Sequence, residues 1–229
     1  MSAQQGPQSG LSGENLGSLS VAALIPIKAF SEAKKRLSSR VTSDDRSALA
    51  RAMAAHVVSS ARPMPTFVVC DNSEVGKWAL DHGAQVLHEP GRGLNGAVAA
   101  GVTQLQDLGF DRVVIAHSDL PLAVDLAWIA NFEGITIVPD RSARGTNVIS
   151  IPLSRAETET ETETETEPGA DAFKFSYGAG SFGRHVTEAR RLGFRLRVVP
   201  NYRLSADVDY PGDLQVASAA HAWPILRTS

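Results

Sequence analysis

Between residues 21 and 118, short apolar runs alternate with longer stretches whose apolar residues recur at three- and four-residue spacing. VAALIPI (21–27) is apolar without alternation, the pattern of a strand covered on both faces. Thr42 and Ser43, followed by Asp44 and Asp45, form an N-cap signal, and Leu49, Met53, Val57 and Ala61 then repeat every fourth residue. This predicts a helix that ends before Pro63. TFVVC (66–70) reads as a strand, SEVGKWALDHG as a helix stopped by glycine, and AQVLHE as a strand. LNGAVAAGVTQLQDLG follows as a helix with Leu94, Ala97, Val98, Val102, Leu105 and Leu108 on one face, and RVVIAH (112–117) as the next strand. Such alternation predicts an α/β, Rossmann-like fold of three layers, with helices on both faces of a mostly parallel central sheet.

Beyond Pro121 the pattern loosens. It predicts a short helix near Trp128, strands at ITIVPD and TNVISIPL, a helix at RHVTEARRLG, a strand at LRVVP and a last helix at PGDLQVASAAHA. The run ETETETETETE (157–167) has no apolar face, so it reads as a solvated, disordered insertion at about 155–170. Residues 1–20 read as a disordered Gly/Ser/Gln-rich head and 221–229 as a tail, which leaves a single domain over 21–220. No apolar run approaches the length of a membrane span, and the head lacks both a basic and an apolar segment. With one cysteine, Cys70, an internal disulfide is excluded, and the expectation is a cytoplasmic protein without a membrane partner.

The formal charge of -3 hides an asymmetry, because six glutamates lie in residues 157–167 and the rest of the chain carries +3. Lys28, Lys34, Lys35, Arg36 and Arg40 crowd the segment after the first strand. That excess is too small for a duplex binder and points to an anionic small ligand, not to nucleic acid.

Several segments carry candidate chemistry. In HSDLP, Asp119 lies just past the end of an apolar strand. Open parallel sheets bind ligands outside the carboxyl ends of their strands, so an acid there faces a site; a helix N-cap is the ordinary alternative. In SADVDYPGDL, alternation puts Asp207 and Asp209 on one side, and carboxylates gathered from distant segments suit Mg2+, although capping of the next helix also explains them. Lys28, Lys34 and Arg36 beside such carboxylates are equipment for a triphosphate, or else a solvated basic loop. RGTN (144–147) and YGAGSFGRH (177–185) combine hydroxyls and glycine where a helix opens, an arrangement that cradles phosphate or carboxylate unless Ser181 is a plain N-cap. His185 reads as a structural hydrogen-bonder. Two G-x-G-x-x-G matches, at Gly91, Gly93, Gly96 and at Gly178, Gly180, Gly183, raise a dinucleotide reading, but neither follows the opening strand. Nothing resembles a nucleophile elbow or a zinc motif.

IPIKAFSEAKKRL, GRGLNGAV, HSDLP, GTNVI, YGAGSFGRH and ADVDYPGDL, in this order over about residues 21–217, resemble the 2-phospho-L-lactate / phosphoenolpyruvate guanylyltransferase family of coenzyme F420 biosynthesis. The resemblance implies a nucleotidyltransferase fold of GT-A type and transfer of GMP from GTP to a phosphorylated three-carbon acid. It further implies metal-binding carboxylates at Asp119 and Asp207, assisted by Asp209, with Mg2+ as the ion. Thr146, Gly178 and Ser181 match the acid-holding positions. Lys28, Lys34 and Arg36 match triphosphate contacts, Lys28 and Arg36 acting with Asp119 in catalysis, and Asn95 with Gly93 matches part of the guanine nucleotide pocket. Phosphoenolpyruvate is the expected acceptor, with 2-phospho-L-lactate and 3-phosphoglycerate as alternatives, and a homodimer would be compatible with the reading. The remaining rivals are another nucleotidyl- or glycosyltransferase of the same fold and a non-catalytic nucleotide-binding protein. The ET insertion, between the Thr146 and Gly178 segments, departs from the family pattern.

Overall fold

The computed structural model describes residues 19–153 and 172–215. The head up to residue 18, the ET insertion, the tail and the last helix beyond Gln215 lie outside the described residues. Seven strands form one sheet in the order β3-β2-β1-β4-β6-β5-β7. They are β1 (Val21–Pro26), β2 (Thr66–Cys70), β3 (Gln85–His88), β4 (Arg112–Ala116), β5 (Ile135–Pro139), β6 (Thr146–Pro152) and β7 (Leu196–Val198). β1 to β4 are mutually parallel, β7 is parallel to β5, and β6 runs antiparallel to both β4 and β5.

The periodicity of the helices decides which face each covers. The largest core cluster joins β-residues such as Ile25, Val68 and Val114 to Ala54, Val57 and Val58 of α1 (Ser43–Ser60) and to Val75, Trp78 and Ala79 of α2 (Ser73–Asp81). Strand neighbours pointing the other way, Leu24, Phe67, Val69, Val113 and Ile115, meet Val98 and Leu105 of α3 (Gly93–Asp107) and Ala189 of α4 (Ser181–Arg191). Alternation along each buried strand therefore feeds two cores, giving the three layers. Thr42 caps α1 by accepting the Asp45 N–H at 3.2 Å, and Asn72 caps α2 in the same way through Glu74 and Val75.

The chain order makes the first two crossovers on one face and returns to β4 through α3 on the other. Between β1 and β4 the direction of winding therefore reverses, which opens a crevice at the carboxyl ends of these two strands. β1 runs out into Ile27 and Lys28 there, and β4 into His117, Ser118 and Asp119.

Several local expectations need correction. The short helix near Trp128 is a 3-10 turn, Leu126–Ala130, and the helix expected from Pro211 begins as a 3-10 turn, Pro211–Asp213. Ser181 is not the N-cap of α4. Gly180, at φ 77°, holds the cap position, which a left-handed backbone makes costly for any residue with a Cβ.

Candidate active site

At the crevice mouth the loop after β1 makes two 3-10 turns, Phe30–Glu32 and Lys35–Leu37, joined through Lys34 in the left-handed conformation at φ 55°. Leu37 and Val41 anchor this loop against Leu49, Met53 and Val208, a small satellite core. The anchoring brings Lys34 over the end of β4. Its Nζ lies 2.5 Å from Asp119 Oδ2 and 3.3 Å from Asp209 Oδ1, and its side chain is only 9% exposed. Burial alone would depress the Lys34 pKa, but the Asp119 and Asp209 carboxylates more than offset it and hold the ammonium above its ordinary value. Burial likewise works to raise Asp119, and Lys34 and His117 override it, so that Asp119 sits below the usual carboxylate range. Arg36 donates to the other oxygen of Asp209 at 3.0 Å, with its guanidinium 5.3 Å from the centre of the Tyr210 ring.

The Asp207-Asp209 segment is extended, with Ala206 and Val208 buried and the two carboxylates on the opposite side, as alternation requires. The Val208 N–H donates to the Asp119 carbonyl at 3.3 Å, which ties the two acidic segments together. Asn147 Nδ2 donates to Asp207 Oδ1 at 3.2 Å and to the Leu204 carbonyl at 3.0 Å. Asp207 is raised, chiefly by burial, with Asp119 and Asp209 adding repulsion that the Asn147 bond only partly relieves.

This carboxylate set suits a divalent cation. Asp119 Oδ1 is buried without a hydrogen-bond partner, Asp119 and Asp209 share one buried lysine, and Asp207 beside them has, among the described residues, only the Asn147 amide as a side-chain partner. Among the described residues no three acidic or imidazole groups stand at ligating spacing. Mg2+ does not require that, since it is ordinarily held by one or two carboxylates with substrate phosphates completing its shell. A cavity of about 270 Å³ adjoins the carboxylates, with Pro26, Lys28, Phe30, Lys34, Leu94 and Asp119 among its lining residues. Lys28 is exposed at this cavity, whereas Lys34 and Arg36 are already bound to carboxylates.

A second cluster lies beside the first. Thr146 opens β6, 1% exposed; its N–H donates to Ser181 Oγ at 3.0 Å, and its Oγ1 is 3.0 Å from His185 Nδ1. Gly178, at φ 111°, has no atom within 4 Å of where a Cβ would sit, so here the backbone conformation, not crowding, favours glycine. Residues 172–178 run antiparallel to α4, with the Lys174 N–H on Glu188 at 2.9 Å and the Ser176 N–H on His185 Nε2 at 3.0 Å. Asn95, two residues into α3 from Gly93 (φ 62°), uses its side-chain oxygen to accept the Tyr177 N–H at 2.6 Å. The residue expected beside the nucleotide is thus also the tether of the hydroxyl cluster.

The structure therefore brings Asp119, Asp207, Asp209, Lys34 and Arg36 into one group and Thr146, Ser181 and Gly178 into another. Lys28 and Leu94 line the adjoining cavity. Sequence reasoning gave no role to His117 or Tyr177. His117 lines the cavity with its Nε2 buried and unpartnered, and its ring packs 5.1 Å from that of Tyr177. Its place two residues before Asp119 on the emerging strand was the available signal. Burial pushes the Tyr177 hydroxyl pKa well up, so the ring stands as a neutral wall between the two clusters.

A winding reversal with paired carboxylates and cations at the strand ends defines an α/β protein of the nucleotidyltransferase type. Solved structures agree on the fold: a putative nucleotide-diphospho-sugar transferase from Desulfovibrio desulfuricans superposes with a TM-score of 0.67 at 17% identity, covering 92% of each chain. A nucleotidyl transferase from Methanothermobacter does so at 0.61 and 13% identity, over 90% of this chain and 99% of that one. Residues 21–217 match the family described as "Guanylyl transferase CofC like". A phosphoenolpyruvate guanylyltransferase of Sphaerobacter thermophilus is 32% identical over 216 residues, 87% of this chain and 93% of that protein. A 2-phospho-L-lactate guanylyltransferase of Methanothermobacter thermautotrophicus is 32% identical over 203 residues, 84% of this chain and 81% of that protein. The chain belongs to the CofC-like guanylyl transferase family.

Proposed function

We propose that this chain transfers GMP from GTP to the phosphate of phosphoenolpyruvate, giving enolpyruvoyl-2-diphospho-5'-guanosine and pyrophosphate, a step of coenzyme F420 biosynthesis. The observation that carries the reading is the adjacency of two anion-handling groups through consecutive residues of β6. Asn147 is bonded to Asp207 on the carboxylate side, and Thr146 to Ser181 and His185 on the hydroxyl side. A nucleotide and a phosphorylated acid held in these neighbouring places would meet end to end. Several relatives bearing the phosphoenolpyruvate name support the choice of acceptor.

In this reaction an oxygen of the acceptor phosphate attacks the α-phosphorus of GTP, the bond from that phosphorus to the β-bridging oxygen breaks, and the electron pair leaves with pyrophosphate. The acceptor is already an anion, so no general base is needed. That suits a site where His185 is fully buried and pushed down to about 4, chiefly by burial. Thr146, Gly178 and Ser181 hold the acid, while Asn95 and Gly93 border the nucleotide. Lys28, Lys34 and Arg36 neutralise the triphosphate and the departing pyrophosphate. Asp119, Asp207 and Asp209 are the residues that would hold Mg2+, which when bound supplies charge neutralisation between the two phosphates.

The test is pyrophosphate release by the full chain with GTP, Mg2+ and a panel of phosphoenolpyruvate, 2-phospho-L-lactate, 3-phosphoglycerate and a sugar 1-phosphate. Fastest turnover is expected with phosphoenolpyruvate. Preference for another three-carbon acid would overturn the choice of acceptor; preference for the sugar phosphate, or nucleotide binding without pyrophosphate, would overturn the reaction.

A further inference from the structure

The hydrogen bonds around His185 fix where protons sit in the hydroxyl cluster. The Ser176 N–H points at His185 Nε2 across 3.0 Å, and a backbone amide can only donate, so Nε2 carries no proton. A neutral imidazole with a bare Nε2 has its proton on Nδ1. Nδ1 therefore donates to Thr146 Oγ1, 3.0 Å away, and the hydroxyl accepts. Ser181 Oγ is set in the same sense, because it accepts the Thr146 N–H at 3.0 Å. Each hydroxyl thus has an acceptor position filled by a group that can only donate, and each keeps its own proton. Among the described residues neither hydroxyl donates a hydrogen bond, although Thr146 is 1% and Ser181 2% exposed. Two O–H donors are stored side by side at the first turn of α4.

We infer, on the basis of the function proposed above, that His185 is a positioning residue. By donating to Thr146 Oγ1 it leaves the Thr146 O–H free to donate, beside the Ser181 O–H whose oxygen already takes the Thr146 N–H, so that the cradle presents two O–H donors to the carboxylate or phosphate of the acid. With the opposite tautomer a bare Nδ1 would take the Thr146 proton, and the cradle would present one donor fewer to the acid. The imidazole is also held against turning over. The Tyr177 ring meets it edge-on at 4.9 Å, and Arg184 clamps the Ser176 carbonyl at 2.7 Å, which pins the residue whose N–H defines the tautomer.

The experiment has two arms on the full chain. In the first, His185→Leu and Thr146→Val are each expected to raise the acid KM about tenfold to a hundredfold. The GTP KM should stay within about twofold, and the double variant should be no worse than the poorer single one, since both remove the same donor. Thr146→Ser, which keeps the hydroxyl, should restore the acid KM to within about threefold. In the second arm, nitrogen-15 NMR of the wild-type histidines is expected to show His185 protonated at Nδ1 and bare at Nε2, with the Nδ1–H signal moving when phosphoenolpyruvate is added. A near-native acid KM in His185→Leu, effects that multiply in the double variant, equal losses for GTP and acid, or a proton found on Nε2 would each overturn the inference. If the wild type releases no pyrophosphate with any acid, the functional reading fails instead, and the NMR arm alone decides the role of His185.

Discussion

Lys34→Met removes the single buried cation from a group of three carboxylates while keeping most of the side-chain volume. Asp119, whose side chain is 18% exposed, loses a partner at 2.5 Å; Asp209, at 39%, loses one at 3.3 Å but keeps Arg36. Two unit charges about 4 Å apart in a medium of effective dielectric about 20 attract by roughly 4 kcal/mol, and removing one partner of a buried pair generally costs about 3–5 kcal/mol. The Asp209 contact is largely open to solvent and adds little. Relief from burying the ammonium works the other way, which leaves an expected loss of about 3 kcal/mol at pH 7. In the wild type Asp119 is held below its ordinary value, so its ion pair stabilises above the unfolded pKa and is lost as pH falls. In the variant Asp119 keeps its burial without the compensating ammonium, so its pKa rises above the unfolded one and its protonation favours folding. The deficit should accordingly narrow between pH 7 and pH 5. Mg2+ should narrow it too, because in the variant no ammonium competes with the cation for the carboxylates; at saturation the narrowing is about 1.4 kcal/mol for each tenfold by which the variant binds Mg2+ more tightly than the wild type. Urea denaturation of both proteins at the two pH values, with and without Mg2+, reads all three. Equal stability at pH 7, or a deficit insensitive to both pH and Mg2+, would refute the idea that Lys34 acts as the counter-ion of this group.

Asp119→Asn should lower kcat for GTP-dependent pyrophosphate release about 10²–10³-fold while the far-ultraviolet spectrum is unchanged, and near-native turnover would remove Asp119 from the metal assignment. His185 takes up its proton at about 4 in the fold against 6.5 for the ordinary imidazole, so between these values unfolding binds a proton and stability falls with pH, by about 2 kcal/mol from pH 7.5 to 5. Urea midpoints of the wild type and His185→Leu across that window check it, the variant lacking this part of the slope. Gly134→Ala should destabilise by about 2 kcal/mol or more, because its Cβ would overlap the Arg195 carbonyl that accepts the Ile135 N–H and aligns β7 with β5; an unchanged melting temperature would contradict this.

The fold was legible where burial follows a local period. The apolar run at 21–27 and the four-residue repeat from Leu49 to Ala61 report their own environments, and the strand and helix appear there. The direction of β6 was not legible, because TNVISIPL is buried along most of its length and would look the same in a parallel strand. Within the site, Asp119 was visible from its place past a strand end, and Asp207 with Asp209 from alternation. Periodicity carries no information about which distant side chain a residue meets. Lys34 and Arg36 read as triphosphate contacts, and what the sequence did not show is their engagement with carboxylates 85 and 173 residues away. Asn95 read as a nucleotide residue, yet its oxygen is occupied by Tyr177, 82 positions on. Such pairings are consequences of the sheet order.

The reversed direction of β6 separates chemistry from chain length. Thr146 and Asn147 stand at the end where β4 delivers Asp119, while Pro152 pairs with Arg112 at the other end of β4, and the Leu153 N–H closes on Asp111 there. The described chain stops at that far rim and resumes at Ala172, whose carbonyl lies near Arg191 at the last turn of α4, before residues 172–178 climb back to the hydroxyls. The described residues that flank the glutamate-threonine run, Leu153 and Ala172, thus stand at the floor of the molecule, with the whole height of the sheet between them and the reacting groups. A change in the length of this run therefore enters the chain far from the reacting groups. This address makes the segment a natural place to graft an epitope or a surface anchor onto a working enzyme.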